Sequence, residues 1–151
     1  MATLTITATV DYRGGTPPIP ANVTNIFFNT SATTLAYFSS SQFGPGLIAN
    51  NAAIAGDSQN SYFHVFLTPG GGISGAQWTF SNWGALGSAS ADFILFNGNS
   101  GAETITGSSR SETIYGRAGA DKLAGGAGED SFGYSNQDAA PGETIDGGAG
   151  A

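Results

Sequence analysis

The feature that most restricts this chain is a nine-residue period near its C-terminus. Ile105, Ile114, Leu123 and Phe132 are spaced nine apart, and the units aligned on them read GNSGAETIT (98–106), GSSRSETIY (107–115), GRAGADKLA (116–124) and GGAGEDSFG (125–133). Each unit opens on glycine, carries an acid at its sixth position and an apolar residue at its eighth. A short unit cannot bury its apolar side alone, so a tandem run predicts a solenoid whose stacked neighbours share one core. Six residues of glycine-rich turn followed by three of strand reverse the chain, because glycine reaches positive φ cheaply and leaves the turn carbonyls unobstructed. Two units then close one coil, and the next coil stacks about 4.8 Å away. Acid falls above acid: Glu103 near Asp121 on one edge, Glu112 near Asp130 on the other.

Stacked carboxylates repel unless a cation lies between them. A hard divalent ion that takes six to eight oxygens from carboxylates and carbonyls suits such turns, which is the habit of calcium rather than zinc. The units resemble the hemolysin-type calcium-binding repeat, the RTX nonapeptide G-G-x-G-x-D-x-U-x of the parallel β-roll, and the last two resemble it best. The resemblance implies Ca2+ between successive turns, held by the carboxylates of Glu103, Glu112, Asp121 and Asp130. It also implies ligation by early-turn residues: Gly98 and Ser100, Gly107 and Ser109, Gly116 and Ala118, Gly125 and Ala127. Two departures predict weaker binding in the first two units: Glu replaces Asp at 103 and 112, and Arg110 stands where the pattern has a glycine able to take positive φ. After Phe132 the period slips, the next matching apolar residue being Ile145, with Pro141 between them. The roll is expected to be interrupted there, and Asp146 to Ala151 reads as the opening of another repeat on which the chain stops mid-unit.

Composition narrows the function classes. A net charge of -7, with only four Lys and Arg, argues against a phosphate-backbone partner, so no nucleic acid is expected. No cysteine is present, which removes disulfides and thiolate chemistry. Met1 to Val10 alternates Thr with apolar residues and reads as a first strand rather than a signal peptide. No apolar run approaches the roughly 20 residues that cross a bilayer as a helix, so no transmembrane segment is expected. Carboxylates crowd the last third, and the composition changes near residue 97.

Upstream of that change, strand-like segments recur at 23–30, 33–43, 47–56, 61–68, 76–83 and 91–98, separated by turns rich in Gly, Asn, Ser or Pro. Segment 56–64 imitates a nonapeptide, with Ser61 where the acid should be. The chain is therefore read as all-β, a right-handed parallel β-solenoid in which a calcium β-roll stacks on an N-terminal β-helix. A small antiparallel β-sandwich is the alternative for the N-terminal part, because alternation alone does not separate the two. The expected divisions are a β-rich region over 1–97, the roll over 98–133, and an irregular segment with the start of a further repeat over 134–151. Trp78, Phe80 and Trp83 are the candidates for a carbohydrate-stacking platform, the other aromatics being assigned to the core. His64, the single histidine, shares a strand face with Tyr62 and Phe66 and is read as structural or exposed. No H-E-x-x-H, G-x-S-x-G, Walker or EF-hand pattern occurs, and the acids best placed for acid–base work are those expected to bind metal, so no enzyme is expected.

The functional reading is a calcium-binding module, secreted or at the cell surface, that folds on reaching extracellular calcium. The resemblance implies type I secretion. Two alternatives stand beside it: a structural or adhesive surface protein that forms homo-oligomers through its solenoid ends or binds a cell-surface glycan, and an appended module of a larger secreted hydrolase.

Overall fold

The computed structural model describes residues 1–85, 88, 89, 91–133, 138 and 140–150. Among these the chain forms, in order, β1 (Ala2–Ile6), β2 (Val10–Asp11), β3 (Val23–Phe28), β4 (Thr34–Ser39), β5 (Ile48–Ala55), β6 (Ser61–Phe66) and β7 (Gly72–Ser74). It continues with β8 (Thr79–Ser81), β9 (Phe93–Asn97), β10 (Thr104–Thr106), β11 (Glu112–Tyr115), β12 (Lys122–Ala124), β13 (Ser131–Gly133) and β14 (Thr144–Asp146). Each segment predicted as strand contains one of these, while β2 and β7 were not anticipated.

Every pairing among the strands is parallel. Three sheets result, ordered β1-β3-β5-β8, β14-β12-β10-β7 and β13-β11-β9-β6-β4-β2. This is a β-solenoid throughout, and the antiparallel sandwich is ruled out for the N-terminal part. The six-stranded sheet crosses residue 97 without a break, since β9 pairs with β6 on one side and β11 on the other.

The strands form because one set of alternate residues can be buried coil upon coil. In β4 and β6 buried and half-buried residues alternate strictly, the pattern of a sheet with one face on the core. In register, Phe38, Val65, Phe96, Ile114 and Phe132 stack into a single apolar column. Ile73, Ile105, Leu123 and Ile145 form the column opposite. A third column, Leu4, Ile26, Ile54 and Phe80, belongs to the N-terminal coils. Nearly all of these side chains join one continuous core.

The cross-section narrows along the axis. Coils advance by 27 residues from Leu35 to Tyr62 and by 31 from Phe63 to Ile94, then by 18 from Ile94 to Glu112 and by 18 from Thr113 to Ser131. Where the wide coils end, Trp78 fills the interior, its ring 5.4 to 5.8 Å from those of Phe63, Phe43 and Phe96. Trp78 and Trp83 are 3% and 8% exposed and Phe80 is half-buried against the core, so the three form no sugar platform; they are packing residues. His64 lies half-buried on the outward face, edge-on to Tyr37 and Tyr62, and burial holds its pKa below the ordinary value.

The interruption expected after Phe132 falls on residues 134–137 and 139, which lie outside the described residues. β14 pairs with β12 in continuous register, Leu123 opposite Ile145, with a coil of 22 residues (Lys122 to Thr144) instead of 18. Beyond it Ala149 bridges Ala127, so the closing glycine-rich residues stack as a further turn.

Candidate metal centre

The turns, rather than the strands, carry the chemistry. Successive turns on each edge lie in direct contact: the Ala118 N–H donates to the Asn99 carbonyl at 3.0 Å, Ala127 N–H to Ser108 O at 2.9 Å and Ala149 N–H to Gly126 O at 2.7 Å. Glycine at the first position of a unit is required by this approach. A Cβ on Gly98 would lie 2.1 Å from the Gly116 carbonyl oxygen, and one on Gly107 would lie 1.9 Å from that of Gly125. Of the early-turn residues expected as ligands, Gly116 and Gly125 therefore point their carbonyls at the preceding turn. Ala118 and Ala127 are tied to it through their N–H groups, and Ser100 and Ser109 are exposed.

The sixth-position acids do stack as expected. Asp121 Oδ1 accepts the Glu103 N–H at 2.8 Å, and Asp130 Oδ1 accepts the Glu112 N–H at 2.9 Å. What the other oxygens do divides the four acids into two kinds. Glu103 uses both: Oε1 accepts Gly70 N–H at 2.8 Å and Oε2 accepts Asn99 N–H at 3.1 Å. Glu112 does likewise, with Ser108 N–H on Oε2 at 3.0 Å and the Ser108 hydroxyl on Oε1. Asp121 Oδ2 and Asp130 Oδ2 are buried and have no hydrogen-bond partner among the described residues. Each lies inside its own turn, 2.7 Å and 2.3 Å from where a Cβ on Gly116 or Gly125 would stand.

Such burial is costly for a carboxylate. Desolvation raises the pKa of Asp121, opposed by the Glu103 N–H and reinforced by the charges of Glu103, Glu143 and Asp138. Burial pushes Glu112 up to about 8, against the lowering effect of the Ser108 hydrogen bonds and with Asp130 adding to the rise. A buried carboxylate oxygen lacking any donor forfeits on the order of 1–3 kcal/mol, more when charged, and a cation is the natural partner for it. Among the described residues no three Asp, Glu or His side chains gather as one metal cluster, so an ion here would draw mainly on turn carbonyls. The donor set, all oxygen and partly anionic, fits calcium.

The backbone makes the same division. In turn 116–121, Arg117 has φ 73° and Gly119 φ 142°; in turn 125–130, Gly126 has 98° and Gly128 119°; Gly148 in the following turn has 75°. Neither the 98–103 turn nor the 107–112 turn contains a positive φ. The residue that bears left-handed strain is thus Arg117, at the second position, and not Arg110.

Sequence reasoning overlooked two further acids that do the same work upstream. Asp92, 2% exposed, accepts Ser61 N–H through Oδ1 and Gly84 N–H through Oδ2, both at 2.7 Å. It fills the place left by the missing acid of segment 56–64, but from the next coil. Asp57 accepts Thr30 N–H at 2.6 Å and Gln59 N–H at 2.7 Å. The available signal for Asp92 was an acid immediately before an apolar strand, DFILF.

Residues 97–132 match the family model of the RTX calcium-binding nonapeptide repeat in four copies. No curated protein and no solved structure matches the chain. The chain carries calcium-binding repeats.

Proposed function

We propose that this chain is a calcium-responsive, non-catalytic structural module of a secreted protein. The wide N-terminal coils fold on their hydrophobic core, and the narrow C-terminal coils close fully when calcium joins Asp121 and Asp130 to the neighbouring turns. The observation that carries this reading is the pair of buried carboxylate oxygens, Asp121 Oδ2 and Asp130 Oδ2, that no donor among the described residues satisfies. Bound calcium supplies positive charge and open coordination positions for such oxygens. The protein's own contribution is to hold the carboxylates in register and to exclude water from them.

In calcium-poor surroundings the acids destabilise the last coils. At tenfold excess over Kd, calcium adds about 1.4 kcal/mol per independent site, and extracellular modules bind at about 10⁻⁴–10⁻³ M. Export rests on the family resemblance alone. Among the described residues no helix is long and apolar enough to cross a membrane.

The test is calorimetric titration of calcium into chelator-treated protein with circular dichroism followed alongside, repeated on an Asp121→Asn, Asp130→Asn double variant. Asparagine keeps an oxygen for the Glu103 and Glu112 N–H groups, while it removes the charge and puts an amide NH2 in place of Oδ2. Binding with a raised Tm, absent in the double variant, is expected; no heat and an unchanged Tm would defeat the reading.

A second reading, adhesion to a glycan, draws on the outward face of the six-stranded sheet. Leu35, Tyr62 and Phe93 lie there in one row, the two rings stacked at 4.6 Å. Retention on immobilised polysaccharide that is lost in Tyr62→Ala would support it, and identical retention of both proteins would count against it.

A further inference from the structure

The sheet ordered β14-β12-β10-β7 begins in the middle of the solenoid, and β7 is its edge. In the coil before, β4 and β5 belong to the other two sheets and are joined through the 3₁₀ turn Ser40–Gln42, so among the described residues no strand lies over β7. The ladder to β10 uses alternate residues of β7. The Gly71 carbonyl accepts the Thr104 N–H at 3.2 Å and the Gly75 N–H donates to the Thr106 carbonyl at 2.9 Å, with Ile73 level with Ile105 between them. Backbone groups alternate sides along a strand, so the N–H and C=O of Gly72 and Ser74 point away from β10. They border a cleft of about 570 Å³, a volume within the range of specific binding clefts. Its other walls include Ser40, Phe43 and Asn50 on one side and Gln77, Thr104 and Thr106 on the other, and every residue lining it is uncharged. Edge strands are commonly blunted by Lys, Pro or a charge, and Gly72–Ser74 carries none of these, whereas β12 and β14 of the same sheet carry Lys122 and Asp146.

We propose that this cleft accepts an extended, uncharged peptide segment of another protein as an added strand beside β7. The open backbone groups of Gly72 and Ser74 supply the ladder, and the surrounding side chains select what it carries. Each strand of this sheet has an apolar residue at its centre, Ile73, Ile105, Leu123 or Ile145. A strand set about 4.8 Å beyond β7 turns its own central side chain toward Phe43 and Ile73, which join the core cluster, and its flanking side chains toward hydroxyl and amide groups. An acidic segment would approach a chain of net charge -7, and a basic one would meet no acid in the lining. The fitting partner is therefore a small polar–apolar–small polar core held through its main chain.

The experiment follows backbone amide resonances of the full chain, with calcium present, as the doubly capped pentapeptide Ser-Thr-Ile-Thr-Ser is added. The amides of Gly72 and Ser74 are expected to shift saturably with a Kd of about 1 mM or tighter. Ser74→Pro removes a donor that the ladder to β10 does not use and should weaken the peptide about threefold or more. Two peptides N-methylated at alternate residues repeat the test on the unaltered protein: one should bind about tenfold or more weakly, and the other like the parent peptide. Still amides at about 10 mM peptide, or equal binding of the two methylated peptides, overturns the proposal. So do shifts of the same amides produced by maltohexaose and not by the peptide, which assign the cleft to a saccharide, or by concentrating the protein alone, which assign it to a second copy.

Discussion

Replacing Asp92 by alanine tests the part of this solenoid that lies outside the calcium-binding repeats. Asp92 is buried, and its two oxygens accept the N–H groups of Ser61 and Gly84 at 2.7 Å, one from the coil before and one from its own turn. Alanine would leave both donors unpaired in the interior at about 1–3 kcal/mol each. Part of that loss is offset, because burial raises the pKa of Asp92 and its removal takes a costly charge out of the core. The net expectation is about 2–4 kcal/mol of destabilisation, or roughly 5–15 °C in Tm for a chain of this size. Asparagine keeps one acceptor and should fall between alanine and the parent. Urea unfolding in chelator and again in millimolar calcium is the assay. The loss should be equal in the two conditions, since the bonds of Asp92 lie outside the calcium turns. A loss below about 0.5 kcal/mol, the size of an ordinary surface substitution, or one confined to the calcium condition, would refute the assignment of Asp92 as a metal-free strut.

Three further outcomes are expected. Gly119→Ala places a Cβ 1.7 Å from the Gly101 carbonyl at a φ of 142° and should cost about 2 kcal/mol or more and blunt the calcium response, whereas Gly147→Ala, with nothing within 4 Å, should stay within about 0.5 kcal/mol by thermal melting. In chelator, stability should fall as pH rises from 4.5 toward 8, because folded Glu112, pushed up to about 8, keeps a proton that the unfolded chain has released. The slope from this group is at most about 1.4 kcal/mol per pH unit; Glu112→Gln should flatten it, and a rising profile would contradict the sign. Ile114→Ala, in the middle of the apolar column and fully buried, should cost about 2–5 kcal/mol in urea unfolding, and Ile145→Ala, 44% exposed, much less.

The C-terminal coils were legible because a fixed nine-residue period writes the strand register into the sequence itself: knowing that Ile105 and Leu123 repeat is enough to pair them. Upstream the coils differ in length, and alternation in segments such as SYFHVFLT says which residues share a face without saying which strand lies beside them. A parallel β-helix was the first reading there, and the parallel pairings decide it over the antiparallel sandwich. Asp92 escaped notice because its partner Ser61 is 31 residues away. The assignment of Trp78 and Trp83 to a surface failed for a related reason, since aromatic density does not reveal which side of a turn is filled by the narrowing of the coil. Likewise Glu103 and Asp121 look equivalent in sequence, and only the donors around them show that one is already satisfied.

The uninterrupted six-stranded sheet has a consequence for how the molecule comes apart. A stack in which each coil touches only its neighbours behaves as a one-dimensional chain, with opening favoured at whichever end has the weaker interfaces. Here the narrow end offers three-residue strands such as β13 and β14, and the wide end offers six-residue strands locked by Phe38, Phe63 and Trp78. Fraying should therefore run from the thin coils inward, so that amide exchange slows progressively toward the aromatic plug, and an ion bound at the thin end acts as a clasp whose effect is felt along the whole ladder rather than at its own turn.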